Sequence, residues 1–223
     1  MSDFTFIKEA EKAKHIVIKC EPEYFPQASV LYSYFLTKHK KVTLFMPKES
    51  SQFSFLAWYE KRRTLEIQSA DCNIDANVDI LTLYSFLKKE ELTINKKMAT
   101  ALYAAILKRY DNFTVKNCDG TLFAIVSELI NSGADHDMCI TRMYGQKPLS
   151  FFRLKALVYK KFLLKENASV IEVVLSESDF QESGASWEML KEIAKELLKV
   201  VHVHEVRIMK SDEKDKILII KEV

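Results

Sequence analysis

His202 and His204 lie two positions apart, so on a β-strand both rings face the same side. Two imidazoles on one face can hold zinc when a third ligand joins them. No third ligand is identifiable, and packing on a strand face is the plainer expectation. Asp135-His136-Asp137 groups two carboxylates with an imidazole, but it follows Gly133 directly, and Asp135 fits a helix N-cap better than a ligand position. The four cysteines, Cys20, Cys72, Cys118 and Cys139, form no C-x-x-C pair and no finger-like array with His. That argues against structural zinc and for reduced thiols. The chain carries no glycine-rich phosphate loop, no G-x-S-x-G and no H-E-x-x-H. Two basic runs, Lys38, Lys40, Lys41 and Lys61, Arg62, Arg63, are expected as solvated faces. Phe53, Phe55, Trp58 and Tyr59 cluster and are expected as local core, with a partner-binding patch as the alternative.

The elements that must position these groups follow from periodicity. HIVIKC (15–20) is a short β-branched run and predicts a strand. Leu31, Tyr34 and Phe35 mark one face of a helix over 27–38, and VTLFM (42–46) predicts a second strand, stopped by Pro47. Strand, helix and strand in about 30 residues make a βαβ unit, the building block of parallel sheets. Residues 50–77 are ambiguous: FSFLAWYEKRR suggests a helix and TLEIQ a short strand. VDILTLYSFLKK (78–89) predicts a helix buried through Ile80, Leu83, Tyr84 and Leu87. Asn95 caps the next helix, with Met98, Leu102, Ala105 and Ile106 inward. Asp119-Gly120 opens another that Gly133 stops. A shorter helix follows Asp135, and Pro148 begins a long one through Lys165.

The last third changes character. SVIEVVLS predicts a strand, Ser176 and Asp179 an acidic capping box, and 187–200 an amphipathic helix with Leu190, Ile193, Ala194, Leu197 and Leu198 on one side. HEVRIM and ILIIKEV add two strands, so this part reads as a small α+β domain.

Composition limits the function classes. The chain has 223 residues, 48% hydrophobic, enough for a substantial core. Basic and acidic residues number 17 and 14 over 1–113, and 16 and 17 over the rest, a balance that speaks against strong duplex-DNA binding. The polar opening MSDFTFIKEAEKAK resembles no signal peptide, and no 18-residue apolar run suggests a membrane span. The expected location is cytoplasmic.

Four stretches taken together resemble the DHH phosphoesterases, the family of RecJ-like exonucleases, nanoRNases and cyclic-dinucleotide phosphodiesterases. They are AKHIVIKCEPEYFPQASVLYSYFLTKHKKVTLFM, INKKMATALYAAILKRYDNF, SELINSGADHDMCITRMYGQKPLSFFRLKALVYKKFLL and LSESDFQESGAS, about two thirds of the chain. The resemblance implies an α/β fold: a shortened N-terminal parallel-sheet domain over 1–133, a helical connection over 134–165 and a truncated α+β domain over 166–223. It also implies two metal ions, usually manganese, held by His and Asp, which polarise a phosphodiester and generate hydroxide.

The chemistry departs from that pattern. Where the family has its first His, Asp and second Asp, this chain has Lys19, Glu23 and Phe25, followed by Ala28 and Ser29 as the small residues. A protonated lysine cannot ligate a metal, and Phe25 offers no ligating atom. The stretch between Met46 and Val78 holds no His, so the family's Asp-His-His triplet is missing. Arg109 stands at the fourth metal position, with Asp111 two residues beyond. The family's Gly-Gly-Gly-His substrate loop has no counterpart before Val223.

Lys19, Arg109 and Arg153 are expected as unrelated surface charges, with the alternative that they converge and turn a cation site into an anion site, since basic groups relieve the repulsion that metal-free carboxylates would feel. With the metal ligands lost, the expected function is a catalytically inactive, phosphoesterase-like binding or scaffolding module without a cofactor. Its expected ligand site is a vestigial cleft of Lys19, Glu23, Ser29, Arg109, Asp111 and Arg153. A nucleotide or other anion, a protein partner or a second copy are the candidate occupants. The alternative is a divergent manganese phosphoesterase acting on short oligonucleotides or cyclic dinucleotides, with a site rebuilt from Glu21, Glu23, Asp71, Asp75 and Asp111.

Overall fold

A computed structural model describes residues 4–50, 52–65, 70–145 and 147–221, with the side chains of 214–216 left out. The chain divides into two compact units, Met1–Gly145 and Gln146–Val223.

In the first unit, α1 (Thr5–Ala10) leads into β1 (His15–Lys19), whose Ile16, Val17 and Ile18 are buried. A continuous apolar run of this kind suits a strand covered on both faces. A 3-10 turn at Pro22–Tyr24 enters α2 (Phe25–Thr37), and β2 (Lys41–Phe45) follows. After a looped stretch come β3 (Arg62–Arg63) and β4 (Cys72–Asp75). The four strands form one parallel sheet in the order β3-β2-β1-β4. The expected βαβ unit is thus present, and β3 and β4 complete the sheet.

The helices α3 (Ile80–Lys89), α4 (Lys96–Arg109), α5 (Gly120–Asn131) and α6 (His136–Ile140) follow, the last running into a π-turn at Thr141–Gly145. Asp79, Asn95, Asp119 and Asp135 each cap a helix by accepting a backbone N–H three residues on. Gly133 has φ +90, the left-handed conformation that ends α5 without a Cβ penalty. α2 packs on α4, β1 and β2. Residues Phe25–Phe35 of α2 and Met98–Leu107 of α4 are buried on every side, so these are interior helices rather than the one-faced ones the spacing predicts.

Several expectations need correction. FSFLAWYEKRR is not a helix but a chain of turns ending in a 3-10 turn at Tyr59–Lys61. Phe53, Leu56 and Tyr59 recur every three residues as in a helix and are buried, yet Trp58 adopts φ +70 and breaks any helical run. The Trp58 indole N–H instead donates to the Ser33 hydroxyl at 2.8 Å. This aromatic cluster is core, as expected. Arg62 is no solvated charge: it stacks 4.1 Å from the Tyr59 ring centroid and pairs with Glu49. The strand expected at TLEIQ falls at 66–68 outside the described residues, and β4 was not anticipated at all.

The second unit holds α7 (Leu149–Lys161), β5 (Leu163–Lys165), β6 (Val170–Leu175), α8 (Glu177–Ser183), α9 (Leu190–Leu197), β7 (Glu205–Lys210) and β8 (Glu213–Lys221). Its sheet runs β5-β6-β7-β8, with β6 and β7 parallel and both outer pairs antiparallel. The Ser176–Asp179 capping box opens α8. α7 stops at Lys161 rather than Lys165, because Phe162 turns extended and Leu163–Lys165 pair with β6. His202 and His204 do not share a strand face: His202 lies in a turn at φ +71, and β7 begins only at Glu205. Their zinc reading loses its geometric basis. No helix among the described residues is long and apolar enough to cross a membrane.

Candidate functional site

β1 and β4 run side by side, with Lys19 opposite Asp75 at their carboxyl ends. From β1 the chain crosses through α2 to β2 on one flank, while β4 occupies the other. This is a topological switch point, where open α/β sheets form a ligand crevice beyond their strand ends. A cavity of about 430 Å³ lies there, lined by Glu23, Tyr24, Gln27, Asn77, Asp79, Lys108 and Arg109 among others. A smaller one of about 220 Å³ shares Tyr24 and Asn77 with it and adds Lys19, Glu21 and Asp75.

Each side chain is positioned by a local cause. Glu23 rides on the 3-10 turn that Pro22 starts. Asp79 caps α3, accepting the backbone N–H of Thr82 at 2.9 Å and its hydroxyl at 2.8 Å. Lys108 and Arg109 close α4, where cations suit the negative end of the helix dipole. The Arg109 guanidinium forms an ion pair with the Asp79 carboxylate. The Lys108 ammonium donates to the Glu23 carbonyl at 3.1 Å and sits 5.3 Å from the Phe53 ring centroid.

Of the residues expected at the site, Glu23 and Arg109 line the larger cavity and Lys19 the smaller. Ser29 is buried within α2, its hydroxyl donating to the Ala57 carbonyl at 3.0 Å, and lines neither. Asp111 lies just past α4 at φ +43, accepts from Thr114, and lines neither. Arg153 belongs to the second unit, where it lines a separate cavity of about 530 Å³ with Lys160 and Glu182. Phe25 is fully buried against the Tyr59 ring, 5.1 Å between centroids. Gln27, Asp79 and Lys108 belong to the crevice and were missed. An aspartate ahead of the apolar run from Ile80 was a legible cap signal, but its pairing with Arg109 is purely tertiary.

The rebuilt carboxylate site does not assemble. Asp71 accepts the backbone N–H groups of Lys14 and His15 at 3.0 and 2.9 Å, at the end of the sheet opposite Lys19 and Asp75. Those two amides, His15 first, hold its carboxyl below the ordinary aspartate range. Around the crevice itself, Glu21 pairs with Lys48 at 3.4 Å, Asp79 pairs with Arg109, and Asp75 accepts the Asn77 N–H at 2.8 Å. Among the described residues no group of three or more His, Cys, Asp or Glu side chains is arranged to hold a metal ion. A two-metal centre needs several anionic or imidazole ligands converging on one spot, and this donor set does not fit one. Cys20, on the smaller cavity, is no nucleophile either: burial, reinforced by Asp75 and Glu21, pushes its thiol up to about 12.

No protein-family model matches the chain, and neither does any curated protein. Among solved structures, an exopolyphosphatase-related protein from Bacteroides fragilis aligns with a TM-score of 0.78, covering 96% of this chain and 81% of that one at 13% identity. A Methanococcus jannaschii protein assigned as a family II inorganic pyrophosphatase aligns with a TM-score of 0.37, covering 93% and 88% at 11% identity. The first likeness shows that this chain shares the α/β fold of that protein, in agreement with the α/β fold expected from the sequence. At such identity it speaks for the fold alone.

Proposed function

We propose that this protein is a catalytically silent binding module on a phosphoesterase-like fold, taking a small phosphate-bearing anion, without metal, in the crevice beyond β1 and β4. The observation that carries this is the Arg109 guanidinium, ion-paired to Asp79 on the wall of that crevice. A guanidinium is always charged and presents five donors in a fork that matches phosphate. One carboxylate does not exhaust those donors. Lys108 on the same wall and Lys19 on the adjoining one add positive charge. A site that places fixed cations beside its carboxylates has no electrostatic need for divalent ions.

Calorimetric titration with pyrophosphate and with AMP in the presence of EDTA tests this. Binding should be measurable without metal and weaken about tenfold in Arg109→Gln, the loss typical of one charge-assisted contact. Hydrolysis of short oligonucleotides or cyclic dinucleotides with manganese, abolished by Glu23→Ala, would overturn it in favour of a divergent phosphoesterase.

A further inference from the structure

Gln27 stands on the wall of the 430 Å³ cavity, third residue of α2 and only 8% exposed. Its Nε2 donates to the Val78 carbonyl at a long 3.4 Å. Its Oε1 has no donor, one of two such buried side-chain atoms among the described residues. A buried acceptor left unmatched is destabilising and asks for a partner. At the third position of a helix, a glutamine ordinarily reaches back to accept the N–H of the capping residue. Here that residue is Tyr24, and its N–H already donates to the Glu21 carbonyl at 2.9 Å. The local donor is spent. Lys108 and Arg109 on the same wall contact the Glu23 carbonyl and Asp79 and do not donate to Gln27 Oε1.

Resting on the anion-binding function above, we propose that Gln27 determines which anion the crevice takes: a phosphate monoester whose organic part carries O–H donors, in the size range of a pentose phosphate. The phosphate is held by Arg109 and Lys108, and one hydroxyl donates to Gln27 Oε1. A phosphate monoester group, with a second pKa of about 6, is mostly a dianion at neutral pH and offers an amide oxygen no donor of its own. A hydroxyl on the organic part satisfies it. The last torsion of glutamine is soft, so the amide turns its oxygen into the cavity at the cost of the long bond to Val78. The cavity volume also lies within the range of small-molecule sites and exceeds what orthophosphate alone would fill.

The test compares ribose 5-phosphate with n-pentyl phosphate, which keeps the charge and bulk but has no hydroxyl, in calorimetric titrations with EDTA. Wild-type protein should prefer ribose 5-phosphate by about tenfold, the scale of a matched buried hydrogen bond. Gln27→Met, of similar length and without the acceptor, should bring the two within about twofold. Equal affinities in wild type, or a preference that survives in Gln27→Met, would refute the role of Gln27 while leaving anion binding intact. Failure of every phosphate to bind wild type would refute both.

Discussion

Arg109, Lys108 and Gln27 each have a local structural use, and their effects separate only when binding and folding are measured together. Elsewhere, Asp179 offers a cleaner residue-scale test. It is 5% exposed, and its two oxygens meet the Lys161 ammonium at 2.6 Å while accepting the Ser176 backbone N–H. Desolvation pushes its carboxyl up, but Lys161 and Ser176 outweigh that and hold it below the ordinary range. Asp179→Ala should therefore destabilise the second unit by about 2 kcal/mol at neutral pH. A carboxylate with a depressed folded pKa contributes fully above its unfolded value of about 3.9 and loses that contribution as pH falls through the folded value. Urea titrations of the two proteins should thus show a gap that is full at neutral pH and closes in strong acid. Burial also pushes the Cys20 and Cys139 thiols up to about 12. Iodoacetamide at mildly alkaline pH should leave both unmodified in the folded protein and label them after denaturation, as read by mass spectrometry.

Helix starts were the most legible elements, because capping chemistry is local. Asn95, Asp119, Asp135 and the Ser176–Asp179 box all do in the structure what their sequence context predicts. Removing one cap is informative: Asn95→Ala should cost about 1 kcal/mol, visible as a lower urea midpoint with an unchanged slope. Gly133→Ala should cost a similar amount, about 1 kcal/mol, because φ +90 strains any residue with a Cβ. Where the sequence misled, tertiary packing or turn chemistry had overridden local pattern. α2 and α4 read as one-sided because only apolar residues at helical spacing were counted. Their small and polar inward residues, such as Ser29, Ser33 and Thr100, are buried too. β4 has a single buried apolar residue, Ile74, and β3 only two residues, so neither offered a periodic signal. At the site, Lys19, Glu23 and Arg109 were found through alignment to a family pattern. Gln27, Asp79 and Lys108 depend on contacts across 30 or more residues, such as Arg109 to Asp79 and Lys108 to Glu23, which no local window contains.

Across the whole molecule, each unit has its own hydrophobic core, and the two share no residue. Separate cores favour separate cooperative transitions. The two tryptophans report on them individually, since Trp58 packs on the first core and Trp187 on the second. Fluorescence of Trp187→Phe and Trp58→Phe variants during urea unfolding should give two distinct midpoints, and coincident curves would indicate a single transition. The charge of the crevice decides which ligands it can take. A manganese titration of the purified protein by calorimetry reads that charge. Cationic side chains at the strand ends predict no tight, stoichiometric uptake. Two ions bound tightly per chain would contradict it.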